Sequence, residues 1–309
     1  MNHLRSIVVG IDFSPSSADA LAQAHRLAST SPPASRPQVK PVHVLDSMAL
    51  IELEVGFGAM VVSLQQGLIE DAHATWATFA PEISHKGALD VTVATPWGGL
   101  YEALRRAHAD LAVLGVNAAA SAEQTRVGPG PLATKVVRHA PCDVLLVRSG
   151  KRDAFRTIVA CVDFSETSLE SVRNAERLAA MDGAALHIIH VFTPPWRGWH
   201  LRKPRFDTSP TAAAKYREML RTQLEAFCRP ERAENAWAHP RYEVVEARTH
   251  GEGIVKYATD SGADLVILGT RGKTNLRDVL LGSTAEHVVQ DAQCSVLVTK
   301  PVTKPVISP

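Results

Sequence analysis

The sequence predicts an α/β protein made of two tandem, open, parallel five-stranded sheets with helices on both faces. Two observations carry that reading. First, the 309-residue chain repeats itself: Ile11-Asp12-Phe13-Ser14-Pro15-Ser16-Ser17 returns as Val162-Asp163-Phe164-Ser165-Glu166-Thr167-Ser168, and Ala109-Asp110-Leu111-Ala112-Val113-Leu114-Gly115 returns as residues 263–269. Val42-His43-Val44 likewise returns as Ile189-His190-Val191, and Cys142-Asp143-Val144-Leu145 as Cys294-Ser295-Val296-Leu297. Second, short apolar runs alternate with amphipathic stretches in the order β-α-β-α-β-α-β-α-β within each copy, the pattern of a parallel sheet buried under helices. The junction falls near Ser149-Gly150-Lys151-Arg152-Asp153, giving domains 1–150 and 151–309, each of ordinary domain size.

Taken in order, residues 6–10 and 157–161 are runs rich in Val and Ile and read as fully buried first strands. Residues 17–28 and 211–227 have helical periodicity. Asp12 and Asp163 close the first strands, Val44 and Val191 lie near the ends of the second, and Gly115 and Gly269 end the fourth. The last strands cover residues 144–147 and 296–298. Ligands of open α/β sheets sit outside the carboxyl ends of the strands, where strand order reverses. Three separate segments therefore converge on one crevice in each half.

The most specific pattern follows the fourth strand of the second half. Gly269-Thr270-Arg271-Gly272 is followed after nine residues by Gly282-Ser283, the spacing G-x2-G-x9-G-S. A strand that ends in spaced glycines and resumes at a Gly-Ser able to open a helix presents backbone N–H groups and a hydroxyl to an anion. Gly272-Lys273-Thr274 imitates the end of a P-loop, but the earlier glycine that motif requires would stand at Ile267, so the P-loop reading fails.

This spacing resembles the nucleotide-binding signature of the universal stress protein family, position for position. The resemblance implies a Rossmann-like, adenine-nucleotide alpha-hydrolase-like fold and ATP as ligand, with Mg2+ or Mn2+ carried on the nucleotide. It implies a site in which the aspartate closing the first strand lies on the adenosine side, a valine of the second strand contacts the base, and the glycine loop grips the phosphates. In this chain those are Asp163, Val191, Gly269, Thr270, Gly272, Gly282, Ser283 and Thr284. The first half departs where phosphate contact is expected: Gly115 and Gly128 match Gly269 and Gly282, but Ala118 stands for Gly272 and Pro129 for Ser283, and Pro129-Gly130-Pro131 makes the segment two residues longer. Asp12 and Val44 remain, so the expectation is one nucleotide per chain, held by the second half. The family also pairs such domains through their last strands, which implies an internal pseudo-dimer and allows a homodimer.

Composition narrows the remaining classes. Net charge is +1, with 11 basic against 13 acidic residues up to Gly150 and 33 − 11 = 22 against 32 − 13 = 19 after it, too balanced for general nucleic-acid binding. No apolar run is long enough for a membrane span and the N-terminus has no signal-peptide pattern, so a cytoplasmic protein is expected. Cys142, Cys161, Cys228 and Cys294 lack metal-ligand spacing and read as buried thiols. His187 and His190 sit three apart on a strand and so face opposite ways, while His43 and His190 read as packed, satisfied histidines. His250-Gly251-Glu252 reads as a helix start. No metal ligand and no catalytic residue is assigned. Residues 196–206, which interleave Trp, Arg and Lys, read as a crevice-flanking or packing loop, with anionic-partner binding as the competing reading.

Three functions compete at this point. One is a stress-response module that binds ATP or a related adenine nucleotide and acts in signalling or protection. The second is a slow, metal-dependent ATP hydrolase on the same fold. The third is a stress protein whose crevice holds a hydrophobic, non-nucleotide ligand.

Overall fold

In the computed structural model, the described residues are 4–57, 61–83, 86–116, 129–194, 196, 209–229, 239–270 and 281–301, with no description of the side chains of 54–57 and 61–63. Two units emerge, Met1–Asp153 and Ala154–Pro309. In the first, β1 (Ser6–Gly10), α1 (Pro15–Ser29), β2 (Gln38–Asp46), α2 (Ser47–Phe57), α3 (Val61–Thr78), β3 (Asp90–Ala94), α4 (Pro96–Arg106), β4 (Leu111–Val116), α5 (Pro131–His139) and β5 (Asp143–Arg148) follow one another. In the second come β6 (Thr157–Cys161), α6 (Glu166–Asp182), β7 (Ala185–Phe192), α7 (Pro210–Cys228), β8 (Arg241–Glu246), α8 (His250–Asp260), β9 (Leu265–Gly269), α9 (Ser283–Asp291) and β10 (Ser295–Thr299).

Strand order is β3-β2-β1-β4-β5 in the first unit and β10-β9-β6-β7-β8 in the second, with every pair inside a unit parallel. The chain winds outward from the first strand of each unit and then returns to its other side, so order reverses between β1 and β4 and between β6 and β9. The strands between other strands are buried almost throughout: Ile7, Val9, Leu111, Val113, Ile158, Val159 and Leu265–Ile267 have no exposed surface. Both faces of each sheet must therefore be apolar, which is why these strands read as continuous Val, Ile and Leu runs rather than alternating ones.

Among the described residues the second unit keeps the expected alternation of strand and helix, whereas the first has two helices, α2 and α3, between β2 and β3. Two further expectations are corrected. Asp12 and Asp163 lie two residues past the strands they were expected to close, because β1 ends at Gly10 and β6 at Cys161. Cys294 is half-buried rather than buried; Cys142, Cys161 and Cys228 are buried, and none of the four is in a disulfide.

The repeated aspartates Asp110 and Asp264 work at the amino ends of the strands. Asp110 accepts the N–H groups of Arg5 and Ser6, and Asp264 those of Arg156 and Thr157. They pin the entry of β1 and β6 at the end of the sheet away from the crevice. The residues expected to join the two halves are also held: Asp19, buried on α1, accepts the Gly150 N–H at 2.6 Å and pairs with Arg152, and Gln23 donates to the carbonyls of Lys151 and Asp153.

Candidate functional site

Beyond β6 the chain turns from strand to helix on Phe164, whose φ is +63°, and beyond β1 it does the same on Phe13 at +61°. A bulky residue in the left-handed region is strained and needs compensation from its surroundings. Here the compensation is aromatic. Phe164 packs against His190 at 4.6 Å and edge-on to Phe227 at 5.4 Å, and Phe13 against His43 at 4.7 Å and Phe79 at 5.5 Å. The two histidines are fixed in turn by Nδ1 contacts of 2.8 Å to the carbonyl oxygens of Val162 and Ile11. Sequence reasoning treated these histidines correctly as packed but did not single out the phenylalanines. The signal was there in Asp-Phe-Ser standing at the same place in both copies.

The corner aims an aspartate over the strand ends. Asp163 Oδ1 accepts from the Ser165 N–H at 3.0 Å and the Ser165 hydroxyl at 2.6 Å. Ser165 also caps α6 in a capping box with Ser168. Asp12 repeats the aspartate–serine contacts with Ser14. Burial opposes the charge on Asp12, yet the side-chain and backbone hydrogen bonds from Ser14 outweigh it and hold the carboxyl below its ordinary pKa.

Val191 is placed differently from what a base-contacting side chain would need. It is 4 % exposed, and a Cβ built on Gly253 of α8 would lie 2.5 Å from its Cγ1, so its side chain is sealed under α8. Its main chain is better placed. The Ile189 carbonyl faces β6, where it accepts the Val162 N–H, and the Phe192 carbonyl faces β8, where it accepts the Ala247 N–H. By strand alternation the N–H and C=O of Val191 face the β6 side, past the last register pair Cys161↔Ile189. They form an adjacent donor and acceptor above the end of β6.

Gly269 has a structural reason to be glycine: a Cβ there would meet Thr167 Cγ2 at 2.8 Å, so the residue lets the first turn of α6 close on β9. Thr270 is 1 % exposed, and its Oγ1 has no hydrogen-bond partner among the described residues. Its N–H is committed to the Thr299 carbonyl, and its carbonyl accepts the Gly282 N–H at 2.9 Å. The Thr270 and Gly282 amides are therefore not available to an anion. Among the described residues those of Ser283, Thr284 and Ala285 have no acceptor, because Glu286 is the first residue of α9 to find a helical one, Gly282 O at 2.9 Å, and the N-cap Gly282 offers no side chain. With the exposed Ser283 hydroxyl these three amides form one anion-attracting wall, tied by the Gly282–Thr270 bond to the orphan Thr270 hydroxyl. Glu286 in the same turn adds a carboxylate, so attraction rests on amides and hydroxyls. Gly272, Lys273 and Thr274 lie outside the described residues, as do Ala118, Gly128 and residues 197–206.

In the first unit the helix itself decides which residue stands for Ser283. α5 opens at Pro131 with N-cap Gly130, as α9 opens at Ser283 with N-cap Gly282, and both helices end by giving an alanine N–H to a valine carbonyl. The counterpart of Ser283 is therefore Pro131, not Pro129 as sequence alignment suggested. The ambiguity came from the Pro-Gly-Pro run, in which either proline can open a helix.

His187 and His190 do face opposite ways: His187 Nδ1 lies 3.1 Å from the Tyr257 hydroxyl on α8. His250 opens α8 behind the N-cap Thr249. Among the described residues no group of three or more His, Cys, Asp or Glu could hold a metal, and no helix is long and apolar enough to cross a membrane.

The fold defines a tandem, doubly wound α/β protein whose strand order reverses between β1 and β4 in one unit and between β6 and β9 in the other. The family model described as the universal stress protein family matches residues 3–148 and 154–300, and the chain belongs to that family. Universal stress protein MJ0531 of Methanocaldococcus jannaschii is 29 % identical over 163 residues, 50 % of this chain and 87 % of the relative. Universal stress protein MJ0577 of the same organism is 30 % identical over 157 residues, 47 % of this chain and 95 % of the relative. A crystal structure of a universal stress protein from Archaeoglobus fulgidus covers 96 % of this chain and 98 % of its own, with a TM-score of 0.60 at 14 % identity, a likeness of fold.

Proposed function

We propose that the second half binds ATP or a related adenine nucleotide and that the chain works as a nucleotide-dependent signalling or protective module of the stress response. One observation carries the reading: the buried Thr270 hydroxyl has no partner among the described residues, and the Thr270 carbonyl is bonded to the N-cap of a helix whose first three amides have none among those residues either. A polar group so buried is costly unless something bonds it. An oxyanion reaching the Ser283–Ala285 amides would come beside it. At the other wall Asp163 can accept from sugar hydroxyls, and the Val191 main chain offers the donor–acceptor pair that the edge of an adenine matches. Phosphates bound here would bring a divalent cation with them, and the chain's part would be to hold and orient the anion.

The test is calorimetric titration of ATP, ADP and AMP into the full chain. One site per chain is expected, with affinity falling as phosphates are removed and by about tenfold or more in Asp163→Ala, the effect of one lost charge-assisted bond. Equal affinity for all three, or no effect of Asp163→Ala, would overturn the reading.

A further inference from the structure

The two units can be compared wall by wall. The wall built on the strand-to-helix corner is the same in both: Asp12 and Asp163 bound by the following serine, Phe13 and Phe164 at φ near +60°, His43 and His190 on a carbonyl at 2.8 Å, and Val44 and Val191 under a helical glycine, Gly99 or Gly253. The facing wall is not. The residue after Gly269, the last of β9, is Thr270, whereas the residue after Gly115 is Val116, which itself ends β4 and is nearly the same shape without the hydroxyl and 7 % exposed. At the helix start, Ser283 and Thr284 become Pro131 and Leu132, with Leu132 37 % exposed. Among the described residues three hydroxyls and one backbone N–H are thus exchanged for apolar groups on one wall, while the residues just named on the other are kept. A crevice merely decaying would have no reason to change on one side only.

We infer that the first unit keeps a ligand site of its own, which takes an adenine nucleoside without a charged 5′ end, such as free adenosine. This rests on the nucleotide reading of the second unit, since it is the likeness of the two corners that carries the nucleoside part. The chemistry of the changed wall supplies the rest. Asp12 stays ionised and accepts hydroxyl protons, as a ribose requires, while repelling anions. Pro131 cannot donate, and Val116 and Leu132 would leave a phosphate desolvated and unpaired. An uncharged 5′ group loses nothing there. The chain would then carry one site for the phosphorylated ligand and one for the dephosphorylated form.

The experiment uses the full chain and reads ATP and adenosine separately. With ATP at saturation, adenosine should still bind, to one site. Asp12→Ala should weaken adenosine about tenfold or more and leave ATP unchanged, and Asp163→Ala should do the reverse. Adenosine that is fully displaced by ATP, or lost in Asp163→Ala while kept in Asp12→Ala, would overturn the inference and leave the nucleotide reading standing. Failure of ATP to bind would overturn that reading, while the adenosine titration of Asp163→Ala still judges the first unit. Should Asp12→Ala not fold, photolabelling of ATP-saturated wild-type chain with 2-azidoadenosine decides: label is expected in residues 5–57, and label confined to residues 156–192 refutes the site. Pro131→Ser with Leu132→Thr should add a second site for AMP.

Discussion

Ser283→Pro separates binding from folding. Proline at the first position of a helix costs little, because the N–H it lacks has no helical acceptor and its fixed φ suits the turn. The backbone is ready for it: Gly282 sits at φ −72°, ψ 150°, in the extended region a residue before proline must occupy, and Gly130 precedes Pro131 at φ −63°, ψ 170° in the first unit. What the change removes is one N–H and one hydroxyl from the anion wall. If both bond phosphate, each is worth about 1.5–3 kcal/mol, so their joint loss is about 3–6 kcal/mol, a rise in Kd of about a hundredfold to ten-thousandfold. Calorimetry with ATP measures the loss, and thermal melting of the ligand-free protein checks that the fold is intact. A variant that binds ATP within about threefold of wild type, with unchanged melting, would show that the start of α9 is not the phosphate wall. Lost binding with a melting temperature lowered by several degrees would mean instead that Ser283 holds the helix in place.

Gly115→Ala should destabilise the first unit more than Gly269→Ala does the second, because the new Cβ would lie 2.1 Å from the Ser16 carbonyl oxygen, a backbone atom, against 2.8 Å from a Thr167 methyl; overpacking of this kind costs about 1–3 kcal/mol or more, and urea titration that ranks the two the other way contradicts the packing argument. Asp19→Ala should open the Lys151 and Arg152 peptide bonds to trypsin, since it removes the acceptor of the Gly150 N–H and the partner of Arg152; an unchanged cleavage rate would show that Gln23 alone holds this segment. Burial first, and then the charge of Arg241 against the opposing Glu243, holds the His187 pKa below its ordinary 6.5. The unfolded chain therefore takes up a proton through pH 6.5 that the folded chain does not, and stability of the second unit should fall with pH there until the lowered folded-state pKa is passed; His187→Phe should flatten that slope, and an unaltered slope counts against it.

The strands were the most legible part of the sequence. Residues 6–10 and 157–161 were read to the residue because a strand buried on both faces leaves an apolar run that turn residues bound sharply. The helices read as 17–28 and 211–227 extend by only one or two residues at each end, to Pro15–Ser29 and Pro210–Cys228, since proline after a serine cap marks a helix start. The α2–α3 pair was not legible. Met48 to Phe57 is apolar nearly all round, so it carries no periodic signal. At the site, Ser283 and Thr270 could be picked from spacing, but spacing could not tell that Gly269 answers to Thr167, that α8 covers the Val191 side chain, or that two of the expected amides are spent on Thr299 and Thr270. Each depends on a contact between segments far apart in the chain.

The bond from the Gly282 amide to the Thr270 carbonyl holds together the two points where the chain leaves β9 and enters α9, whatever lies between them in sequence. The entropy of closing an intervening segment grows only with the logarithm of its length, about 0.6 kcal/mol per doubling. A cassette of different length or composition can therefore be spliced between these anchors at small cost while the helix start keeps its position. An insertion there would therefore test the phosphate grip expected of Gly272 without unseating the start of α9.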